Sequence, residues 1–551
     1  MTPLKRFTNL LKLDKKDVYQ ILFYAAFAGL ISLSLPLGIQ AIINFIQSGR
    51  ISVSWILLVV VVTLGVAFVG LLSLMQLRIT ENLQQKIFIR SSFEFAYRMP
   101  KIKFREMYDK YPPEQANRFF DTLNVQKGSA KILIDMSAAM LQTGFGIVLL
   151  SLYHPFFILF GLLLLLLLYF IFKFSYNEGV ETSLKESKFK YKVAYWIQEI
   201  ARSSSNFRKK NNFEYALKRN DVLVSEYINF REKHFNVIKR QYLQLIGFKV
   251  LITAGLLLIG GFLVIAQQMN IGQFVAAEII IVLVTNSVEK IIIGLESFYD
   301  VLTSVEKIGQ VSDLDIDKEI NDENVSLAEI NLETDNIIYR FPGTAKAVLN
   351  GVSLKVHQGE RVAITGGNES GKTTLLRLLS GVMEPENGDI YINDGSFKKL
   401  NKELYRSKIG TVIQGETTFD GTILENITFG DPTISEERLR WALDNVQLTP
   451  FIKSLPEGLD THILPEGLQL SASNTQKIVL ARNIIHKPNV LFLENPLDKI
   501  DITTANKIID FLLSPENRWT VIVSSVNNYW KSKCERIIVM NNGKIVEDQS
   551  I

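Results

Sequence analysis

The sequence has 551 residues, of which 47% are hydrophobic, and its formal net charge is only +4. A chain of this length has room for roughly two to four domains, and its small net charge gives no support for nucleic-acid binding. The one cysteine, Cys534, excludes an intramolecular disulfide and a cysteine-rich metal site. The long apolar runs lie in the first half of the chain, whereas the second half alternates like a globular α/β domain.

The first half begins with a polar and basic stretch, followed by a long apolar segment without a small-residue cleavage pattern. No removable signal peptide is therefore predicted. Crossing a bilayer takes about 20 mostly apolar residues, and six segments satisfy that requirement. The predicted spans are residues 19–45, 54–77, 132–153, 155–174, 243–267 and 271–294.

The links between these spans alternate in length and charge. Links one–two, three–four and five–six are short and nearly free of Lys and Arg. The links at about 79–131 and 175–242 are long and rich in both residues. The positive-inside rule therefore places the long links and the N-terminus in the cytoplasm. Apolar positions recur at helical spacing in both long links, which predicts that the membrane helices continue as two long helical hairpins. Two amphipathic domains lying on the membrane are the alternative.

Two charged residues fall inside predicted spans. Lys249 lies near the start of the fifth span, where its side chain is expected to reach the interface. Glu278 lies deeper in the sixth span. A carboxylate within the membrane is energetically costly and usually faces a cavity or a partner; an interfacial position in a weakly defined helix is the alternative for Glu278.

The most specific motif of the chain is "RVAITGGNESGKTTLLRLL", which predicts a short apolar strand, a glycine-rich turn and an apolar-periodic helix. Gly366, Gly371, Lys372 and Thr373 match G-x-x-x-x-G-K-[ST] in that context. Such a loop turns backbone N–H groups towards phosphate at a helix start, its lysine reaches the β- and γ-phosphates, and its threonine hydroxyl can bind Mg²⁺. The remaining predicted phosphate-binding positions are Gly367, Asn368, Glu369, Ser370 and Thr374.

In the membrane half, "SLPLGIQAIINFIQSG" and "IGQFVAAE" most resemble exporters of the type I secretion or peptide-exporter kind. Around the phosphate-loop motif, further stretches make the chain resemble an ABC transporter half-exporter. They are "IIYRFPGTAKAVLNGVSLKVHQGERVAITG", "IGTVIQGETTFDGTILENITFG", "ARNIIHKPNVLFL" and "ERIIVMNNGKIVE". The resemblance implies that Phe341 stacks on adenine and that Gln414 contacts Mg²⁺. It also places two coupling helices near "KYPPEQANRFFDTLNVQ" and "NNFEYALKRND".

The chain departs from the family pattern where the family reads L-S-G-G-Q, the loop that caps the γ-phosphate held by the opposite subunit. Here the sequence is Leu470-Ser471-Ala472-Ser473-Asn474. Ser471 keeps a hydroxyl that can donate to phosphate, whereas Ala472 and Ser473 replace glycines and restrict close backbone approach.

A second departure falls in "NVLFLENPLDKID". The family pattern ends this strand in Asp-Glu, but here Glu494 takes the metal position and Asn495 the position of the catalytic base. Asn495 cannot accept a proton at neutral pH. Asp501 matches the final Asp of the next loop. The histidine that normally contacts the γ-phosphate is replaced by Val526, or by Ser525 if the loop is one residue shorter.

The resemblance thus predicts a six-helix, type IV exporter-like transmembrane domain (1–310), a linker (311–324) and an α/β nucleotide-binding domain (325–551). Its ligands are ATP and Mg²⁺, the latter held through Thr373, Gln414 and Glu494. The expected location is the plasma (bacterial inner) membrane, with the nucleotide-binding domain in the cytoplasm.

Three functions fit this pattern. The first is the degenerate half of a heterodimeric exporter of peptide, protein or amphiphilic cargo. The second is a homodimeric exporter running on weak hydrolysis, and the third is an ATP-gated membrane scaffold or regulator of a secretion complex. The expected partners are the lipid bilayer, a second half-transporter and a periplasmic adaptor. Whether the chain is itself an ATPase stays open.

Overall fold

The computed structural model describes residues 1–47, 53–317 and 326–551. Part of the first predicted link and part of the predicted linker 311–324 lie outside these residues. The chain forms two compact units, here called the membrane unit (Met1–Pro100 and Lys110–Leu314) and the nucleotide unit (Lys101–Asp109 and Asp315–Ile551).

The membrane unit is entirely helical across its described residues. Its helices are α1 (Pro3–Leu13), α2 (Lys15–Ser32), α3 (Ser34–Gln47), α4 (Val53–Arg98), α6 (Pro112–Ala116), α7 (Asp121–Lys131), α8 (Ser137–Ser151), α9 (Phe156–Arg202), α10 (Lys210–Gly255), α11 (Gly261–Ile265) and α12 (Ile271–Ser312), while α5 (Phe104–Met107) belongs to the nucleotide unit. Two π-helical turns, Ile132–Met136 and Leu256–Gly260, connect α7 to α8 and α10 to α11.

Six helical stretches within the described residues are long and apolar enough to cross a membrane. They are Lys15–Gln47, Val53–Lys101, Pro112–Ser151, Phe156–Arg202, Lys210–Ile265 and Ile271–Ser312. The six predicted spans are confirmed, since each one falls on a different stretch.

The longest helices are much longer than a bilayer is thick. At 1.5 Å per residue, the 47 residues of α9 extend about 70 Å, against a hydrocarbon core of about 30 Å. The helices α9 and α10 are joined by the single 3₁₀ turn Ser204–Arg208. This arrangement agrees with the predicted helical hairpin in the fourth link.

Buried polar contacts tie α9, α10 and α12 together. The Gln241 side-chain amide donates to the Tyr299 hydroxyl at 3.0 Å, and Thr182 Oγ1 lies 2.9 Å from His234 Nδ1. Gly179 lies against the face of the Tyr299 ring, where a Cβ atom would collide with the ring. These contacts favour one alignment of the three helices along one another, because buried polar groups need specific partners.

The two charged residues of the predicted spans have different surroundings. Lys249 forms a salt bridge with Glu289, to which Tyr242 Oη also donates at 3.0 Å. Lys249 is therefore paired across α10 and α12, and its reach to the membrane interface stays a prediction. Glu278 is exposed on α12, and its role in facing a cavity or a partner stays a prediction.

The described residues of the nucleotide unit form an α/β domain with twelve strands. They are β1 (Leu332–Tyr339), β2 (Leu349–Val356), β3 (Arg361–Gly366), β4 (Asn387–Ile392), β5 (Gly395–Ser396), β6 (Ile409–Val412), β7 (Gly421–Thr422), β8 (His462–Ile463), β9 (Val490–Glu494), β10 (Thr520–Ser524), β11 (Arg536–Asn541) and β12 (Lys544–Ser550). Its helices after α5 are α13 (Lys372–Leu379), α14 (Lys402–Ser407), α15 (Ile423–Thr428), α16 (Glu436–Asn445), α17 (Thr449–Ser454), α18 (Ala472–Ile484), α19 (Ile502–Leu512) and α20 (Asn528–Lys533).

The strands form a six-stranded sheet in the order β12-β11-β3-β10-β9-β6, an antiparallel sheet β2-β1-β4-β5 and the short pair β7-β8. Strands β11, β3, β10, β9 and β6 are parallel. The carboxyl ends of parallel strands meet at one sheet edge, where α/β proteins bind their ligands. The loops after β3, β6, β9 and β10 therefore converge, and each of them carries a predicted site residue.

Candidate nucleotide site

The phosphate loop, residues Gly366–Thr373, leads from β3 into α13 as the motif predicts. Gly366 has φ +144° and Gly371 has φ +100°. A Cβ atom on Gly366 would meet the Met540 carbonyl oxygen, and one on Gly371 would meet the Leu349 side chain. Only glycine combines these torsions with these close approaches, so the motif glycines shape a cradle of backbone N–H groups at the start of a helix.

Lys372 folds back over this loop. Its Nζ donates to the carbonyl oxygens of Gly366 at 2.9 Å and Gly367 at 2.7 Å, and to Ser370 Oγ at 3.1 Å. Burial lowers the pKa of Lys372, while the negative charge of Glu494 opposes that shift. The ammonium group is thus held at the loop where phosphate oxygens are expected.

Glu494 connects two of the converging loops. Its Oε1 accepts a hydrogen bond from Thr373 Oγ1, and its Oε2 accepts one from the backbone N–H of Gln414 at 3.0 Å. The Gln414 carbonyl oxygen in turn accepts from Arg377 of α13 at 3.1 Å. The three predicted metal positions, Thr373, Gln414 and Glu494, are therefore neighbours.

The chemistry of this set fits Mg²⁺. A hydroxyl, an amide and a carboxylate offer hard oxygen donors, and Mg²⁺ accompanying a nucleotide takes one or two protein ligands together with phosphate oxygens and water. Within the part of the chain that the structure describes, no three His, Cys, Asp or Glu side chains form a metal-binding group. Thr373, Gln414 and Glu494 are thus suited to a magnesium ion that binds with the nucleotide.

Asn495, at the position of the catalytic base, is held by its neighbours. It has φ +43°, and its backbone N–H donates to the Ser524 carbonyl oxygen at 2.8 Å. Its Oδ1 accepts a hydrogen bond from the backbone N–H of Val526 at 3.2 Å. The Asn495 side-chain oxygen therefore binds the loop after β10.

Val526 itself is 81% exposed, so its apolar side chain has no packing role in the described unit. The hydroxyl of Ser525 is engaged by the backbone N–H of Asn527 at 3.1 Å. The loop after β10 thus has no imidazole side chain at Ser525 or Val526, the two positions where the family pattern would place a histidine.

The predicted signature and Asp501 lie apart from these contacts. Ser471 Oγ caps α18 by accepting from the Asn474 N–H at 3.2 Å, and Ala472 and Ser473 form the first turn of that helix. Asp501 caps α19 by accepting from the Thr504 N–H at 2.9 Å, a bond that lowers the pKa of Asp501. Among the described residues, none of these four makes a hydrogen bond to the phosphate loop.

Phe341 follows β1 and lines a cavity of about 340 Å³. The same cavity is lined by Lys346, Ala347, Val348, Asn542 and residues 369–374 of the phosphate loop and α13. An aromatic ring beside a phosphate-binding loop is placed to stack on a base whose phosphates occupy that loop. A second cavity, of about 370 Å³, is lined by Gln414, Glu494 and Asn495.

Comparison with known proteins bears on this geometry. Residues 349–498 match the sequence pattern of the family described as ABC transporter. The chain carries an ABC transporter domain. Such a domain binds ATP, usually with Mg²⁺.

The curated relatives include two proteins named for toxin translocation. The alpha-hemolysin translocation ATP-binding protein HlyB of Escherichia coli O157:H7 is 29% identical over 60% of this chain. The leukotoxin translocation ATP-binding protein LktB of Mannheimia haemolytica is 30% identical over 59% of it. The aligned region covers 46% of each relative's length.

The whole chain has the fold of an ABC exporter. It is similar to the solved structure of a bacterial Atm1-family ABC exporter with ATP bound, with a TM-score of 0.84, 18% identity, and coverage of 97% of this chain and 95% of that one. The six candidate spans agree with this fold.

Sequence reasoning missed one part of the site. Lys101–Asp109 belongs to the nucleotide unit although it lies in the first half of the chain, immediately before the stretch that resembles the first coupling helix. Its Tyr108 ring stacks on Phe341 with centroids 5.0 Å apart. The two aromatic residues in "FREMYD" were the available signal, but helical periodicity alone cannot assign them to another unit.

Proposed function

We propose that this chain is one half of an ATP-driven exporter that binds Mg-ATP at a hydrolytically degenerate site. As part of a dimer, it would move a peptide, protein or amphiphilic cargo out of the cytoplasm. The observation that carries the proposal is the contrast at the end of β9. Glu494 is bonded to both Thr373 and Gln414, whereas the adjacent Asn495 offers an amide.

Nucleotide binding is supported by the phosphate loop, the lysine above it and the aromatic ring beside it. Phe341, Lys372 and Thr373 all line one cavity, so a base, a triphosphate and a metal ion can be bound together. Each of these groups acts on the ground-state nucleotide, and none requires the missing base or histidine.

Weak hydrolysis is supported by the chemistry of Asn495 and Val526. An amide cannot take a proton from water at neutral pH, and a general base typically contributes about 10²- to 10⁴-fold to rate. Phosphate electrostatics and positioning would then supply the residual turnover. The substitution of Ala472 and Ser473 for two glycines adds a second reason for slow hydrolysis, at the site this chain would complete in its partner.

A heterodimer is favoured because ATP sites in this family are shared between subunits. In such a pair, a second half-transporter would supply a catalytic glutamate and histidine at one site, while this chain would contribute Ser471. The cargo class follows the names of the relatives, which refer to alpha-hemolysin and leukotoxin translocation. A periplasmic adaptor is proposed as a further partner of the assembly.

The partner hypothesis is tested by comparing the purified chain with a co-purified complex. We expect the chain alone to release almost no phosphate from saturating Mg-ATP, and a complex with an intact half-transporter to turn over. The control is the same complex carrying a glutamate-to-glutamine change in the partner's base. Fast turnover by the chain alone would contradict the hypothesis.

The magnesium role of Glu494 gives a separate prediction. Glu494→Gln removes the charge that Thr373 and Gln414 bind, and hydrogen bonds to charged groups contribute about 1.5–3 kcal/mol. We expect the gain in ATP affinity between EDTA and excess Mg²⁺ to fall roughly tenfold or more. Glu416→Gln is the matched control because Glu416 lines the same cavity as Glu494 but binds Thr411. Equal losses in both variants would contradict the assignment.

A further inference from the structure

The segment Lys101–Asp109 is fastened to the nucleotide unit by backbone contacts. The Lys103 N–H donates to the Asp315 carbonyl oxygen at 2.9 Å, and the Asp317 N–H donates to the Lys101 carbonyl oxygen at 2.8 Å. Between them, Ile102 and Ile316 form an antiparallel β-bridge. The segment is therefore held in place by main-chain bonds that do not depend on the side chains discussed next.

The aromatic side chains of this segment, Phe104 and Tyr108, lie close to Phe341, the ring that is predicted to stack on adenine. Tyr108 is stacked on Phe341, with ring centroids 5.0 Å apart and planes at 18°. Phe104 lies 6.5 Å from Phe341 and 5.9 Å from Tyr108. Tyr339 meets Phe341 at an interplanar angle of 89° with centroids 5.2 Å apart. Phe341 is thus packed among three aromatic rings and still lines the cavity of the phosphate loop.

These contacts restrict how Phe341 can turn. An aromatic side chain at the end of a strand can otherwise rotate about χ1, and the base would have to select one orientation at an entropic cost. A ring stacked on Tyr108 retains its plane, and Phe341 lines the cavity of the phosphate loop, where a base would be received. Stacked aromatic pairs contribute about 0.5–1.5 kcal/mol beyond the burial of their surface.

Phe104 makes a second connection within the same unit. The Arg377 guanidinium carbon lies 5.9 Å from the centre of the Phe104 ring, and Arg377 donates to the Gln414 carbonyl oxygen. The segment therefore contacts Phe341 directly, and it contacts the loop after β6, which carries Gln414, through Arg377.

Resting on the proposed ATP binding, we propose that Tyr108 is a positioning residue for the nucleotide base. Its ring backs Phe341 and holds that platform in the orientation that stacks on adenine. Tyr108 acts only through Phe341, so its contribution belongs to the base and is absent for a ligand that has phosphates alone.

The test uses the full-length chain in detergent or nanodiscs and two competitors of a fluorescent ATP analogue, ATP and inorganic tripolyphosphate, both with Mg²⁺. The measured quantity is the ratio of their dissociation constants. We expect Tyr108→Leu, which keeps apolar bulk without a planar ring, to reduce the preference for ATP about three- to tenfold. Tyr108→Phe is expected to retain the preference, and Asp109→Ala, an exposed neighbour, serves as the control.

The outcomes separate two failures. An unchanged ratio in Tyr108→Leu, or an increased preference for ATP, would overturn the positioning role while leaving ATP binding intact. An equal loss of affinity for both competitors would also overturn it, because general damage to the fold acts on phosphate and base alike. Absence of saturable ATP binding by the unsubstituted chain would overturn the proposed function and the role of Tyr108 with it.

Discussion

Replacing Asn495 by glutamate is expected to raise the ATP turnover of the purified chain about 10- to 100-fold, measured as phosphate release at saturating Mg-ATP. A carboxylate at this position can polarise the attacking water, and general-base catalysis is worth about 10²- to 10⁴-fold. The expected gain lies mostly below that range because Val526 still supplies no imidazole. The backbone also resists the change, since Asn495 has φ +43°, a region that asparagine tolerates better than glutamate.

The matched control is Asn495→Gln. It has the length of the glutamate variant, the same backbone strain and the same loss of the Asn495–Val526 hydrogen bond, but it cannot accept a proton. Equal turnover by the two variants would contradict the assignment of Asn495 as the missing base. A gain confined to the glutamate variant would support a degenerate site, and strong turnover before any substitution would exclude one.

The fold was predictable because its signals are local. Each span is a mostly apolar run of about 20 residues, and the phosphate loop specifies a strand, a turn and a helix within a single short stretch. Glycines at positions 366 and 371 are needed for torsions and close contacts that the structure contains. The family resemblance named Thr373, Gln414 and Glu494 as one metal set, and the structure places the three residues next to one another.

The aromatic packing of the site was not predictable in this way. Tyr108 and Phe341 are separated by more than two hundred residues and lie in different halves of the chain, and no periodicity relates them. The bond between Asn495 and Val526 is similar, because it joins two loops through a backbone N–H that any residue would offer. Lys249 is similar, because its salt bridge joins it to Glu289 on another helix, a contact that the predicted span alone does not indicate.

The neighbouring residues Glu494 and Asn495 therefore make hydrogen bonds to different loops of the site. Glu494 accepts hydrogen bonds from Thr373 of the phosphate loop and from the backbone of Gln414 after β6. The Asn495 side chain accepts a hydrogen bond from Val526 in the loop after β10. Under the proposed function, this chain would bind nucleotide while its hydrolysis depended on groups of a partner subunit.

Replacing Lys372 by alanine is expected to weaken Mg-ATP binding about 10- to 100-fold, measured by displacement of a fluorescent ATP analogue. The ammonium group is held at the phosphate loop by Gly366, Gly367 and Ser370. Each hydrogen bond from a charged group to phosphate is worth about 1.5–3 kcal/mol. In the variant, the phosphate oxygens of bound ATP lose both the hydrogen bond from the ammonium group and its nearby positive charge. The glycine torsions of the loop are retained.

Lys346→Ala is the control for this change, because Lys346 is an exposed lysine that lines the same cavity and carries the same charge. We expect it to alter the affinity less than threefold, since exposed charges interact weakly through water. Equal losses in both variants would contradict a specific role for Lys372 and indicate a diffuse charge effect.

Cargo flux in cells then separates the remaining functions: an exporter that depends on its own nucleotide loses flux in Lys372→Ala, whereas flux that persists despite lost ATP binding favours a membrane scaffold.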